Sequence, residues 1–122
     1  MASDPAFSDD VTARLTPLGP VRARRMFGGF GIFVDDLMFG LIARDRLYLK
    51  VDDGNRPSFE AAGSRPFTYE GKSKPVEMSY WLVPDAVFDD PAVLIDWAEA
   101  ARQAAQRAKK PKSRRRKSTK KD

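Results

Sequence analysis

Residues 24–51 read RRMFGGFGIFVDDLMFGLIARDRLYLKV, from Arg24 to Val51, without a proline. The run is broken only by Gly28-Gly29, Asp35-Asp36 and Arg44-Asp45. Between the breaks the residues are mostly aromatic or branched, and many alternate with the period of two that strands require. The spacing predicts a meander: a short first strand, then Phe30–Val34, Leu37–Ala43 and Arg46–Val51. Two-residue loops force antiparallel hairpins, because parallel neighbours need a long crossover. Strict alternation in the third strand puts Leu37, Phe39, Leu41 and Ala43 on one face, with Met38, Gly40 and Ile42 on the other. In the fourth, Leu47, Leu49 and Val51 oppose Arg46, Tyr48 and Lys50.

The flanking sequence supplies material to cover or extend this sheet. Upstream, Ser8 is a candidate N-cap followed by Asp9 and Asp10, which suit the positive end of a helix dipole. Val11 and Leu15 then make a short apolar stripe that ends near Pro17–Gly19. Downstream, Asp53 or Asn55 is placed to cap a short helix that closes at Gly63, anchored by Phe59. A fifth strand follows at Pro66–Glu70, with Phe67 and Tyr69 expected inward, and a sixth at Val76–Val83. The last helix begins with Asp90 as cap and Pro91 at the first position, where its missing N–H costs little. Val93, Leu94, Trp97, Ala98, Ala101, Ala104, Ala105 and Ala108 form its apolar stripe.

The expected order is helix, four strands, helix, two strands, helix. That describes an α+β two-layer sandwich with an antiparallel sheet of five or six strands. Residues 1–7 are expected to be disordered, 8–108 to form the domain, and 109–122 to be a disordered basic tail.

Composition narrows the chemistry. The 122 residues suit one domain with one core. With no Cys and no His, the chain lacks thiolate nucleophiles, imidazole bases, disulfides and the usual zinc or iron ligand sets. The acidic amino terminus does not resemble a signal peptide, and no apolar run has membrane-spanning length. The expectation is a cytoplasmic protein with no membrane contact and no cofactor. Gly28-Gly29-Phe30-Gly31 precedes a strand, not a helix, so it reads as hairpin or bulge glycines and not a phosphate loop. The aspartates at 35, 36, 45, 52 and 53 read as turn residues, not a metal site.

The charge is divided. Residues 1–106 hold 12 Lys+Arg against 16 Asp+Glu, a net of −4, whereas 107–122 hold ten against one, a net of +9. The tail cations Lys109, Lys110, Lys112, Arg114, Arg115, Arg116, Lys117, Lys120 and Lys121 are candidates for weak, sequence-blind contact with DNA or RNA phosphates. No aromatic residue interleaves them to stack on bases. Within the sheet, Arg24, Arg25, Arg46 and Lys50 are candidates for a cationic patch. Phe33, Met38, Ile42, Tyr48, Trp81 and Val83 are expected on the second face of the sheet, either covered by a helix or presented to a partner.

The segments RRMFGGFGIFVDDLMFGLI, LYLKVDD, FTYE and VEMSYWLVP, followed by an amphipathic helix, resemble the amino-terminal domain of the TfoX/Sxy competence regulators over residues 8–108. The motif-bearing residues, which are also the candidate partner surface, are Arg25, Met26, Phe27, Gly28, Gly29, Gly31, Tyr48, Lys50 and Trp81. The resemblance implies a small α+β domain similar to type III secretion chaperones, and a link to transcriptional control of DNA uptake. It brings no catalytic residues. Full-length members carry a second, helical domain where this chain has its basic tail, so the resemblance is to a stand-alone amino-terminal domain. The leading expectation is a non-enzymatic regulator acting by protein contacts. The alternatives are a chaperone-like or scaffolding homodimer with a solubilising tail and, remotely, an enzyme that relies on Arg, Lys and carboxylates.

Overall fold

A computed structural model describes residues 4–26, 28–70 and 75–109. The elements are α1 (Pro5–Arg14), a 3-10 turn (Thr16–Leu18), β1 (Val21–Met26), β2 (Gly29–Val34), β3 (Leu37–Ala43) and β4 (Arg46–Lys50). They continue with α2 (Arg56–Ala61), β5 (Pro66–Glu70), β6 (Pro75–Leu82), α3 (Asp85–Phe88) and α4 (Pro91–Lys109). The six strands form one sheet in the order β1-β2-β3-β4-β6-β5, and every pairing is antiparallel. The α+β class and the antiparallel sheet are those expected; the one-turn α3 is an addition.

Both ends of the domain differ from expectation. Asp4, not Ser8, caps α1: its carboxylate accepts from the Ala6 backbone N–H at 2.9 Å, and Pro5 stands in the first turn. Residues 5–7 are therefore helical, and Ser8 is buried inside the helix. At the other end α4 runs through Lys109, so the first cation assigned to the tail closes the helix. Asp90 caps α4 as expected, accepting from the Val93 N–H at 3.3 Å.

The meander is set by its turns. Asp35 and Asp36 have φ of 52° and 63°, and Arg44 and Asp45 have 54° and 59°. Two consecutive left-handed residues make the hairpin turn whose twist matches the strands. Gly29 serves a different need: a Cβ there would lie 1.9 Å from the Ile42 carbonyl oxygen, so the β2–β3 approach requires glycine.

The four described helices lie on one side of the sheet. α4 packs across β3 and β4, and α1 against β1. α2 is held by Phe59, whose ring centroid is 4.6 Å from that of Trp97 on α4 and 6.3 Å from that of Trp81 on β6. The core joins Val11, Leu15, Phe30, Ile32, Phe39, Ile42, Leu49, Phe59, Leu94 and Ala98 into one buried cluster. Alanines at 98, 101 and 105 let the α4 backbone approach the sheet closely.

One irregularity reassigns the faces of β3. Ile32 stands opposite Gly40 but Phe33 stands opposite Met38, so Phe39 is an extra residue, a β-bulge. Phe39 and Ile42 both enter the helix-side core, and Leu41 turns to the opposite face. Strict alternation had placed Phe39 with Leu41 and put Ile42 on the second face; the bulge reverses Ile42 and Leu41. Trp81 and Val83 are likewise corrected. Trp81 pairs with Leu49 and packs on Phe59, and Val83 is buried in the core, so both belong to the helix-covered face.

Candidate protein-docking face

The second face of the sheet carries no helix among the described residues. Cross-strand pairs share a face, so the ladders identify its occupants. One row runs Arg24–Gly31–Leu41–Tyr48–Leu82. Beside it, Met26 pairs with Gly29 and Ala43 with Arg46. Further along, Phe33 pairs with Met38, and Lys50 with Tyr80. Of the residues expected on this face, Phe33, Met38 and Tyr48 are here. Phe67 is here as well, edge-on to Tyr48 with centroids 5.1 Å apart, and not in the helix-side core.

These side chains enclose a hollow of about 160 Å³, lined mainly by Met26, Met38, Leu41, Ala43, Met78 and Tyr80, with Phe67. Leu41 is only 4% exposed yet lies outside the helix-side cluster, so it is buried from this side. Methionine is unbranched and polarizable, and suits surfaces that repack around an incoming side chain. Among the described residues of the lining, Tyr80 supplies the only hydroxyl. Its phenol reaches across β4 toward the Met38 carbonyl, at 3.4 Å, and burial pushes its pKa up to about 12.

Among the described side chains, the charges on this face have one sign. Arg22, Arg24, Arg46 and Lys50 belong to it by register, and no described strand carboxylate does. Arg22 is paired with Asp36 of the β2–β3 turn at 2.9 Å. Arg24 lies over the Phe33 ring, 5.5 Å from its centroid. Lys50 donates to the Ser79 hydroxyl at 2.6 Å and sits 5.3 Å from the Tyr80 ring centroid; burial lowers its pKa, partly opposed by the Asp52 carboxylate. Arg25 is the exception in the expected patch. It pairs with Phe30, points to the helix side and lies over that ring at 5.1 Å.

The remaining motif residues divide by role. Gly28, with φ of 77°, makes the β1–β2 turn; Gly29 permits strand approach; Gly31 gives room to Met26 and Phe33. Trp81 is core-facing and is removed from the open surface. Phe27 lies outside the described residues, as do Lys110, Lys112, Arg114, Arg115, Arg116, Lys117, Lys120 and Lys121 of the tail. Leu41, Met78 and Tyr80 were missed as surface residues. The alternation of Met78, Tyr80 and Leu82 was visible, but not which side of the sheet the helices would take.

Among the described residues no group of three or more acidic, Cys or His side chains could hold a metal ion. None of the described helices is long and apolar enough to cross a membrane.

The sequence matches the family described as the TfoX N-terminal domain over residues 13–105. It is similar to the DNA transformation protein TfoX1 of Aliivibrio fischeri, 32% identical over 84 residues. That match covers 69% of this chain but only 40% of the relative's length. It is also similar to an uncharacterized 12.7 kDa protein from the trpE 5' region of Spirochaeta aurantia, 31% identical over 91 residues, covering 75% of this chain and 74% of the relative.

Proposed function

The chain belongs to the TfoX N-terminal domain family, and from that premise we propose that it is a non-enzymatic, cytoplasmic regulatory protein that works by docking another protein. The observation that carries this reading is the one-sided placement of the helices, which leaves an apolar, methionine-lined sheet face open. Contiguous exposed apolar surface is costly in water and marks interaction sites. The hollow has little to offer catalysis: its walls are thioethers, methyls and rings, with one phenol held in its neutral form. The named similarity to a DNA transformation protein supports a competence-related role. The basic segment beyond α4 adds weak, salt-sensitive nucleic-acid affinity.

Two experiments test this. A photo-crosslinking amino acid replacing Ala43, a lining residue of the hollow, should capture protein in cells, whereas the same group at exposed Asp96 on α4 should not. Equal capture at both positions rejects the docking face. Labelled duplex DNA should bind the full chain at low salt and lose affinity steeply as salt rises. Replacing the cations at 110, 112, 114–117, 120 and 121 by Gln should abolish that binding; unchanged affinity rejects the tail assignment.

A further inference from the structure

The hollow and the cations around it are parts of one surface. Arg46 pairs with Ala43, a lining residue, at one end of the hollow. Arg24 lies in the row of Leu41, which forms its floor, and Lys50 pairs with Tyr80 at the other end. Each cation thus shares a cross-strand row with a residue of the apolar lining. Arg46 and Arg24 form no ion pair among the described residues, and Lys50 is held by a hydroxyl and a ring. Residues 1–106 are net acidic, and Arg14, Arg22, Arg56, Arg102 and Arg107 are each matched by a carboxylate. An apolar hollow bordered by cations that form no ion pair among the described residues is complementary to an apolar anchor bordered by carboxylates.

Resting on the docking role proposed above, we infer that the occupant of this face is an acidic, amphipathic protein segment. A Leu- or Phe-sized side chain enters the hollow between Met26, Leu41 and Met78, while flanking Asp or Glu side chains engage Arg24, Arg46 and Lys50. Single-stranded nucleic acid would also suit a cationic sheet face, but it stacks bases on rings presented flat. Here the rings are engaged with their neighbours: Tyr48 and Phe67 edge to face, Phe33 beneath Arg24, and Tyr80 beside Lys50. The depression between them has the shape and lining for an aliphatic or aromatic side chain.

The test is fluorescence anisotropy on the full chain with a short labelled peptide carrying a central Leu-Phe pair flanked on both sides by glutamates. Two control peptides replace the glutamates by Gln, or the Leu-Phe pair by Ser-Ser. Saturable binding of the first peptide is expected, weakened about tenfold in each control and about tenfold by Arg24→Glu combined with Arg46→Glu. Circular dichroism checks the fold of that variant, and Arg24→Gln with Arg46→Gln is the milder substitute should reversal unfold it. The basic tail is present in every arm, so tail binding would show as equal affinity for the Ser-Ser peptide, and that result overturns the inference. Equal affinity for the Gln peptide also overturns it, by making the cations irrelevant. So does failure of the first peptide to bind. Labelled oligothymidine that loses affinity in the charge-reversed variant, with peptide binding unaffected, assigns the face to nucleic acid instead. Protein crosslinking at Ala43 with no peptide binding leaves the docking role standing and removes only the acidic partner. Loss of both removes the docking role.

Discussion

Arg107, near the end of α4, grips Asp52, just after β4, through two parallel bonds: Nε to Oδ2 at 2.6 Å and Nη2 to Oδ1 at 2.8 Å. The residues are 55 apart in sequence. The guanidinium lies close over Gly54, where a Cβ would stand 2.8 Å from it. Asp52 Oδ1 also accepts from the Gly54 N–H at 2.8 Å. The first cation of the basic carboxyl-terminal run is therefore a structural clamp that fastens the helix to the sheet.

The clamp sets a pH dependence. Hydrogen bonding from Arg107 holds the Asp52 carboxyl below its ordinary value, outweighing the opposing effect of burial. A depressed carboxyl contributes stability that is fully present above its unfolded value of about 4 and is lost as pH falls through the folded value. The pair is partly solvated, so Arg107→Gln should cost no more than about 1 kcal/mol. Denaturant midpoints measured at pH 7 and pH 3 should differ less in Asp52→Asn than in the parent chain. An unchanged difference would show that Asp52 does not titrate as described.

Gly29→Ala should be severely destabilising. The added methyl meets the Ile42 carbonyl, a backbone atom of a central strand that cannot rotate away. A loss of about 3 kcal/mol, at the upper end for overpacking, is expected in the denaturant midpoint. A shift below about 1 kcal/mol would mean that β2 and β3 can separate locally at little cost.

Asn55 sits at the start of α2, but its side chain does not cap the helix. Its carbonyl accepts from the Asp52 N–H at 2.8 Å, and its amide donates to the Lys50 carbonyl at 2.9 Å. It is 6% exposed, so Asn55→Ala leaves two backbone groups without their partner. The expected cost is about 1–3 kcal/mol. Asn55→Asp should not restore stability, because a carboxylate would face the Lys50 carbonyl.

Arg44 occupies the left-handed region with φ of 54° in the β3–β4 turn. Asn tolerates that conformation better than Arg. Arg44→Asn should raise stability by about 0.5 kcal/mol, read as a higher melting temperature without change in the m-value.

Tyr80 should titrate late. Burial raises its pKa from an ordinary 10.0 to about 12. A raised value contributes stability that is present below the unfolded value and is lost as pH climbs between these two figures. Absorbance titration at alkaline pH should show a late phenol transition, and Tyr80→Phe should remove it. Retention of the late transition would assign it to another tyrosine.

Much of the architecture was legible in local sequence because local chemistry decides it. Two-residue breaks at 35–36 and 44–45 dictated antiparallel hairpins, and the stripe from Val93 to Ala105 dictated a helix with one apolar face. The motif-bearing segments indicated the family that the match over residues 13–105 bears out. What those signals lack is any record of side. A strand alternates equally well whichever face is covered. The extra residue at Phe39 inverts the alternation, so that Ile42 faces α4 and Leu41 the open hollow. Trp81 and Tyr80 are adjacent and face opposite sides of the sheet, and the pairing with Leu49 and the contact with Phe59 of α2 put the tryptophan on the covered side. The strands and helices follow from near-neighbour chemistry along the chain. The open face, its hollow and its ring of cations follow from where the helices dock, which depends on contacts between residues tens of positions apart.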